Sequence, residues 1–516
     1  MSDSSSPASS VFPGAVVPRP RFAEWEEGRF APGEDLRISA PEEAIAALHR
    51  LQHGLGKRGV VVRSNVTSPE QADIVLVHPA ETLPGGPEAY RLTIFPRGIR
   101  VEARTAAGWG HGVQTVLDLH APDTRDWPLV LMVDAPEFAW RGMLLDCCRH
   151  FVPKPVICRI LDGMAASKLN RFHWHLTDDQ AWRIEIKRYP RLTEVGARRT
   201  DESAGRRQFY SHDDIRDIVE YATQRGIDIV PEIEMPGHAT AALACYPDLG
   251  CHQVPVEVKA QWGLFPHNYN AGKDHVFEFL ENVLSEVVDL FPFPYVHLGA
   301  DECDKAQWRD CPDCQARIKA EGLADETALQ SYFVNRIAAF LQRHGRTAIG
   351  WDEILEGEPM SGMMVQAWRD ERIIKLAADR GFPVIASPRR FCYLDMALSQ
   401  IDLRDVFSFD PTAGLDEASA KMVVGAEANM WTEYVDESEL EHMIFPRLWG
   451  LSEVLWCGAH NLMPFDEFKA RVDLLSARAR VDGLQPGPAL REDVAGKDRK
   501  GRTDLDEPAP GVEKLA

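Results

Sequence analysis

The chain has 516 residues, of which 45% are hydrophobic and 26% are charged, and 57 basic against 79 acidic side chains give a formal net charge of −22. This length suits two domains, or one large barrel with an addition, rather than one small domain. The acidic charge argues against nucleic acid or an anionic membrane as a partner, because both bind basic surfaces. No segment approaches the ~18 consecutive apolar residues of a membrane-spanning helix.

The N-terminal segment, residues 1–16, is rich in Ser and Pro and is predicted to be disordered. It lacks the basic and apolar regions of a secretory signal, so the ten cysteines are interpreted as reduced thiols of a cytoplasmic protein. Cys311-Pro-Asp-Cys314 has the spacing of half a zinc site. Because no second Cys or His pair partners it convincingly in the sequence, we interpret it as a surface turn and expect no metal.

Short strands and helices are mixed between residues 17 and 135, which indicates a small accessory α+β domain. Residues 72–78 are typical of a strand, residues 90–103 of a hairpin, and residues 109–119 have helical periodicity. Nothing in this segment suggests chemistry.

From residue 136 to residue 484 the pattern becomes a strand followed by a helix, repeated along the chain. The predicted strands are Gly142–Asp146, Arg171–Leu176, Ile227–Ile233, Tyr295–Gly299, Thr347–Gly350, Met363–Gln366, Pro383–Ala386 and Met422–Gly425. Eight such units predict an α/β fold, a (β/α)8 TIM barrel that forms the catalytic domain. The polar segment 485–516 is predicted to be a mobile C-terminal tail.

The run Tyr295-Val-His-Leu-Gly-Ala-Asp301-Glu302 ends a predicted barrel strand in two adjacent carboxylates. Neighbouring carboxylates repel each other, which tends to keep one of the two protonated near neutral pH. A protonated acid beside an ionised carboxylate is what cleavage of an acetal requires. The alternative is a helix N-cap followed by a first-turn acid, which needs no chemistry.

The other strand ends carry carboxylates, histidines, an arginine and aromatic residues, and the active site of a TIM barrel lies at these ends. They are Asp146–His150, His173–Asp179, Glu232–His238, Trp351–Glu353, Trp368, Tyr393–Asp395 and Trp431–Glu433. Aromatic faces stack on pyranose rings, and charged groups bind their hydroxyls. Any single tryptophan fits a hydrophobic core as well, but four aromatic residues at four strand ends favour a sugar site.

Six blocks of this sequence together resemble glycoside hydrolase family 20, the β-N-acetylhexosaminidases. They are Arg141–Phe151, His173–Gln180, Pro231–His238, His297–Glu302, Gly350–Ile354 and Asn429–Glu433. The resemblance implies an exo-acting, retaining enzyme without a cofactor that removes terminal non-reducing β-linked N-acetylhexosamine. In such enzymes the acetamido group of the substrate is the nucleophile and forms an oxazolinium intermediate. An oligosaccharide, for instance a chitin oligosaccharide, is then the expected partner of a monomer or homodimer.

The resemblance also implies roles for single residues. Glu302 would be the general acid and then the general base, and Asp301 would orient the acetamido N–H and stabilise its developing positive charge. Arg149 would hold the sugar hydroxyls O3 and O4, and Glu433 would accept hydrogen bonds from O4 and O6. The remaining contacts to the sugar would come from Trp351, Trp368, Trp431, Tyr393 and Asp395, of which the three tryptophans would line the acetamido pocket.

Asp178 and His238 would form a pair that adjusts the acidity of Glu302, and Glu234 would lie beside them. Three positions depart from the pattern of the family. Glu234 and Ala300 stand where the family usually has Asp and Gly, and Phe409 stands where it often has Trp or Tyr. We expect these departures to affect local geometry and aglycone preference, while the reaction stays the same.

Two other functions are compatible with parts of the pattern. His173-x-His175 on a barrel strand could bind zinc in a metal-dependent amidohydrolase, because residues two apart on a strand face the same way. A sugar-binding barrel without catalysis would also need the aromatic lining. Such a protein needs no acid, however, so the pair Asp301 and Glu302 favours an enzyme.

Overall fold

A computed structural model of the chain describes residues 16–33, 35–64, 68–121, 125–199, 208–494 and 501–505. Almost all of the predicted disordered N-terminus lies outside these residues. The chain divides into two compact units, one formed by Met1–Glu137 with Met463–Gly483 and the other by Phe138–Leu462 with Leu484–Ala516. Among the described residues, no helix combines the length and apolar character that crossing a membrane requires.

The first unit contains a mixed seven-stranded sheet with the strand order β1-β7-β5-β6-β4-β2-β3. Its strands are β1 (Phe22–Phe30), β2 (Leu36–Ser39), β3 (Val62–Ser64), β4 (Ile74–Val77), β5 (Tyr90–Phe95), β6 (Gly98–Ala103) and β7 (Trp127–Asp134). The predicted hairpin is the antiparallel pair β5 and β6, which places Ile94 opposite Ile99. The separate α+β domain that the sequence predicts is therefore present.

Helices α1 (Ile45–Lys57) and α2 (Ala106–Leu119) belong to this unit. Helix α2 begins where the Thr105 hydroxyl accepts a hydrogen bond of 3.1 Å from the Gly108 N–H. Gly112 lets the helix approach the sheet, because a Cβ there would lie 2.4 Å from Cγ1 of Val101.

The helix at Phe465–Val481 also groups with the first unit, although the sequence analysis places it in the barrel domain. An ion pair joins this helix to α2: Nη1 of Arg478 lies 3.2 Å from Oδ1 of Asp118. The Asp118 carboxylate is buried, so its charge requires such a partner.

The second unit is a closed barrel of eight parallel strands, which confirms the predicted fold class. The strands are β8 (Trp140–Asp146), β9 (Arg171–His175), β10 (Asp228–Met235), β11 (Tyr295–Gly299), β12 (Thr347–Trp351), β13 (Met364–Ala367), β14 (Val384–Ala386) and β15 (Val423–Met430). Strand β15 closes the barrel against β8, with Gly425 beside Trp140 and Met430 beside Leu145.

Helices follow the strands around the outside of the barrel. They are α3 (Lys154–Ala166), α4 (Arg191–Glu194), α5 (His212–Thr223), α6 (Thr240–Cys245), α7 (Asp274–Leu290), α8 (Ala306–Asp310), α9 (Pro312–Glu321), α10 (Glu326–Arg343), α11 (Glu371–Asp379), α12 (Arg389–Cys392), α13 (Leu403–Phe407), α14 (Glu417–Ala420), α15 (Leu440–Ile444) and α16 (Arg447–Cys457), and the helix of the first unit is α17. The surface turn expected at Cys311 and Cys314 is wrong, since both side chains are buried at the start of α9.

The predicted mobile tail from residue 485 lies partly outside the described residues. In its described parts it makes defined contacts with the barrel unit. Arg491 donates a hydrogen bond of 2.9 Å to Asp402, and the Arg502 N–H donates one of 2.8 Å to the carbonyl oxygen of Asp395. Arg491 thus pairs its side chain with a buried carboxylate, whereas Arg502 is held at Asp395 through its backbone.

Candidate active site

The adjacent carboxylates Asp301 and Glu302 lie on a left-handed turn directly after strand β11. Gly299 has a φ of 66° and Glu302 one of 46°. A Cβ added to Gly299 would lie 1.7 Å from Oε2 of Glu234, so this close approach requires glycine. Helix α8 begins only at Ala306, which means that neither carboxylate caps it. Positive φ at a residue such as Glu302 costs about 1–3 kcal/mol and is concentrated at functional sites.

His238 lies within reach of both of these carboxylates. Its Nε2 is 3.6 Å from Oδ2 of Asp301 and 3.6 Å from Oε2 of Glu302, while its Nδ1 is 3.2 Å from Oδ1 of Asp178. Although burial opposes protonation, the charges of Asp178 and Asp301 raise the pKa of His238 well above its ordinary value. The imidazole is therefore a cation at neutral pH.

Asp301 is a partly buried carboxylate whose pKa lies below neutral pH. Burial raises the pKa of its carboxyl to about 6, an effect that the His238 cation opposes and the Glu302 charge increases. Above about pH 6 the group is ionised. Its Oδ1 is buried and accepts no hydrogen bond from the residues that the structure describes. Because such an oxygen is costly to leave unsatisfied, it is suited to a donor on a ligand.

Asp178 anchors the His238 cation. Its Oδ2 lies 2.9 Å from Nη2 of Arg149 and 3.0 Å from Nε2 of His175. Burial opposes ionisation, but Arg149 and then His238 hold the pKa of Asp178 well below its usual range. This carboxylate stays charged throughout the neutral range and fixes the orientation of the imidazole.

Glu232 organises the polar layer of the barrel beneath the site. It accepts a hydrogen bond of 2.9 Å from Nε1 of Trp351, its Oε1 lies 2.9 Å from Nδ1 of His297, and it also bonds His175. His173 lies 3.1 Å away. Burial opposes ionisation, but these three histidines hold the pKa of Glu232 well below its usual range. His173 and His175, which suggested a zinc site, thus both contact the same carboxylate.

The four predicted aromatic residues form two pairs at the strand ends. The ring centroids of Trp351 and Trp431 are 6.0 Å apart, and those of Trp368 and Tyr393 are 6.2 Å apart at an interplanar angle of 27°. Nε1 of Trp368 donates a hydrogen bond of 3.1 Å to Glu353, which fixes its ring. These side chains are largely buried. Only a small part of each ring is therefore accessible to a ligand.

Arg149, Asp395 and Glu433 form the polar side of the site. Nη2 of Arg149 lies 3.9 Å from Oε1 of Glu433, and its guanidinium lies 5.2 Å above the ring of Trp431. Both carboxylate oxygens of Asp395 are buried and accept no hydrogen bond from the described residues. Charged groups with spare hydrogen-bonding capacity in this arrangement suit the hydroxyls of a sugar.

The three positions that depart from the family pattern have different surroundings. Burial and the charge of Asp301 raise the pKa of Glu234 well above its ordinary value, so the longer side chain is held neutral. Ala300 is fully buried with a φ of 73°, a conformation that favours glycine. Phe409 is 1% exposed, and its ring lies 5.1 Å from that of Phe391.

Comparisons with known proteins identify the family to which this site belongs. Residues 138–459 match the family profile described as glycosyl hydrolase family 20, catalytic domain, and residues 14–135 match glycosyl hydrolase family 20, domain 2. The chain belongs to glycosyl hydrolase family 20. This membership confirms the predicted family and the predicted enzyme class, a glycoside hydrolase, and favours it over the two alternatives.

Single relatives of this family 20 chain agree with the profiles. A β-hexosaminidase of Porphyromonas gingivalis is 40% identical over 438 residues, which are 80% of this chain and 56% of that protein, so the chain spans about half the length of this relative. The crystal structure of β-N-acetylhexosaminidase from Bacteroides fragilis has a TM-score of 0.85 at 33% identity, covering 94% of this chain and 99% of that one. A mutant Streptomyces plicatus β-hexosaminidase in complex with the product GlcNAc has a TM-score of 0.81 at 28% identity, with 94% and 99% covered.

Some residues of this family 20 site were not singled out from the sequence. Gln180 accepts a hydrogen bond of 3.0 Å from Nε of Arg149, and Asp146 lies 3.3 Å from its Nη1. Both lie inside quoted motifs, so the motifs contained a signal for them. The charge of Arg502 lowers the pKa of Asp395. Arg502 lies in the C-terminal segment, whose composition did not indicate a role at the site.

The buried carboxyl of Asp395 should make the stability of this family 20 enzyme depend on pH. Burial, followed by the charge of Glu433, raises the pKa of Asp395 to about 7, against about 3.9 in an unfolded chain. Between these values the folded state keeps a proton that the unfolded state has released, so the contribution of Asp395 to stability falls as the pH rises from about 4 to about 7. Asp395→Asn is therefore expected to raise the free energy of unfolding by about 2–4 kcal/mol above neutral pH.

This gain in stability should shrink as the pH is lowered through the same interval. Thermal unfolding of both proteins over a pH series measures it. A difference in stability that stays constant with pH would contradict the assignment to Asp395.

Proposed function

We propose that this protein is an exo-acting, retaining β-N-acetylhexosaminidase that removes terminal non-reducing β-linked GlcNAc or GalNAc by substrate-assisted catalysis. One observation carries the proposal: the buried Oδ1 of Asp301, directly beside Glu302, has no donor among the described residues, and a pKa of about 6 favours the ionised form of this carboxyl at neutral pH. A buried carboxylate oxygen of this kind matches the N–H of an acetamido group. The relatives, which are β-hexosaminidases, agree with such a substrate.

In the first step, the carbonyl oxygen of the substrate's acetamido group forms a bond to the anomeric carbon as the bond to the leaving oxygen breaks. Glu302 donates its proton to that oxygen, which leaves as a hydroxyl. Asp301 accepts a hydrogen bond from the acetamido N–H and stabilises the positive charge of the oxazolinium ion. The His238 cation, 3.6 Å from both carboxylates, favours the negative charge that Glu302 gains.

In the second step, Glu302 acts as a base and takes a proton from water. The water oxygen attacks the anomeric carbon, and the bond from this carbon to the acetamido oxygen breaks, which opens the oxazolinium ring. Two displacements at one carbon retain the β configuration. The positive charge is lost, Glu302 is again protonated, and the sugar leaves as the β-anomer.

The polar side of the site supports recognition of the non-reducing end. Arg149 would donate to O3 and O4, Glu433 would accept from O4 and O6, and Asp395 would accept from O6 or on the acetamido side. Trp351, Trp368 and Trp431 would line the acetamido pocket with Tyr393 bonding the acetamido carbonyl. The solved complex of the Streptomyces plicatus enzyme with GlcNAc supports a sugar of this kind.

The stereochemistry of the product tests this mechanism. We expect proton NMR of a reaction with nitrophenyl β-N-acetylglucosaminide to detect the β-anomer first, with the α-anomer arising later by mutarotation. A thiazoline mimic of the cyclised intermediate should inhibit competitively. An α-anomer as the first product, or no inhibition by the thiazoline, would overturn the proposal.

A further inference from the structure

Three cysteine side chains from separate parts of the described chain converge beside the barrel. They are Cys251, Cys311 and Cys314, and their sulfur atoms all lie within 4.8 Å of one another. Cys311 and Cys314 are buried, and Cys251 is half-buried. The sequence shows the spacing of the last two, but Cys251 lies sixty residues earlier and becomes their neighbour only in the fold.

The separation of the sulfurs decides between a disulfide and a metal site. Sγ of Cys251 is 3.8 Å from Sγ of Cys314, whereas sulfurs in a disulfide are about 2.05 Å apart. Zinc binds thiolates at about 2.3 Å in a tetrahedron, which places two ligand sulfurs about 3.8 Å apart. We propose that Cys251, Cys311 and Cys314 form a structural site for a thiophilic divalent cation, of which Zn²⁺ is the expected occupant.

The side chain of Asn270 lies beside two of the three sulfurs. Its Nδ2 lies 3.5 Å from Sγ of Cys311, and its Oδ1 lies 3.4 Å from Sγ of Cys314. The same Nδ2 also lies 3.2 Å from Oδ2 of Asp313. Asn270 is fully buried, and in the proposed site its carboxamide oxygen, or a water molecule bound to it, would be the fourth ligand.

The surroundings favour the negative charge that three thiolates and one Zn²⁺ would leave. Cys311 is the N-cap of the ten-residue helix α9, and Cys314 lies in its first turn, where the helix dipole is positive. Nζ of Lys273 lies 3.6 Å from Asp313 beside the cluster. Lys273 offsets the charge of Asp313, and the helix dipole therefore favours a negatively charged metal–thiolate group at this helix N-terminus.

The metal would join two loops that carry the candidate catalytic residues. Cys251 follows the loop after strand β10, which contains His238, and Cys311 ends the loop after β11, which contains Asp301 and Glu302. Any effect on hydrolysis rests on the function proposed above, whereas metal binding does not. The site is therefore expected to maintain the 3.6 Å distances between His238 and the two carboxylates.

The experiment measures metal content in the full-length protein, purified under reducing conditions, exposed to excess zinc and desalted. We expect one zinc per chain in the wild type and none in Cys251→Ser or Cys314→Ser. Cys158→Ser is the matched control, because Cys158 lies on helix α3 outside the cluster. Asn270→Cys supplies a fourth thiolate and should slow the transfer of zinc to a chromogenic chelator by at least about tenfold.

Cobalt gives a second measurement that does not depend on activity. Co²⁺ added to the metal-free wild type should produce a thiolate-to-cobalt charge-transfer band, and this band should be lost in Cys314→Ser. A variant that fails to fold would be recognised by circular dichroism, and Asn270→Cys then remains as the informative variant. Removal of zinc should lower the Tm of the wild type while leaving that of Cys251→Ser unchanged.

Two results would overturn the inference. One is a wild type that holds no zinc after exposure and shows no cobalt band. The other is a disulfide joining Cys251 to Cys311 or Cys314 in the freshly purified protein, detected by mass spectrometry of unreduced peptides. If the protein binds zinc but proves not to be a hexosaminidase, only the proposed function fails. The two failures are therefore distinguishable.

Discussion

Glu302→Gln is expected to lower turnover by about 10²–10⁴-fold on an aryl β-N-acetylglucosaminide, because an amide supplies no proton to the leaving oxygen. The loss should be larger for a substrate whose leaving group is an alkyl alcohol or a second sugar. Nitrophenolate is a stable anion and needs little protonation, whereas an alkoxide needs a full proton. Steady-state kinetics on a series of leaving groups measures this difference.

The control for this substitution is Glu417→Gln, which removes a charge of the same kind at the surface. The Glu417 side chain is 88% exposed and pairs only with Lys421 among the described residues, so its loss should leave the kinetics unchanged. Near-normal rates of Glu302→Gln on every leaving group would remove Glu302 from the mechanism.

Asp301→Ala is expected to lower kcat/KM for acetamido substrates by about 10²–10³-fold, the effect of losing one group that stabilises charge in a transition state. The acetamido N–H would lose its acceptor, and the oxazolinium charge would lose its nearest anion. Asp301→Asn keeps the shape without the charge and should lose a comparable part of the activity. Kinetics on matched β-N-acetylglucosaminides and β-glucosides measures the effect.

The pH dependence adds an independent measurement for Asp301. Because burial raises its pKa to about 6, kcat/KM of the wild type should fall as the pH drops through about 6 and this carboxylate takes up a proton. Asp301→Asn should lack this acidic limb in its residual activity. Efficient hydrolysis of plain β-glucosides by the wild type would contradict the role of the acetamido group.

The barrel was predictable because its signals are local. Each buried parallel strand is a short apolar run, and each run ends in polar residues that a barrel exposes at one rim. The run ending in Asp301 and Glu302 shows both features at once. Parallel closure brings such rims together, so the motifs at the ends of β9, β10 and β11 were expected to meet.

Contacts made across long sequence separations were not predictable. Arg502 reaches Asp395 from a segment whose composition is typical of a disordered tail. Phe409, in the loop after α13, is buried against Phe391. A single sequence does not state which neighbour buries a hydrophobic side chain in a loop.

The sequence by itself determined the fold class, the family and the set of chemical groups at the strand ends, because periodicity and motif composition depend only on residues close together in the chain. Only the tertiary structure decided the distances between these groups. It placed His238 3.6 Å from both carboxylates, left the Oδ1 of Asp301 without a donor among the described residues and brought Cys251 to the Cys311–Cys314 pair. The physical reason is that pKa values, strain and metal geometry depend on three-dimensional proximity and burial, which the spacing of residues along a chain does not specify.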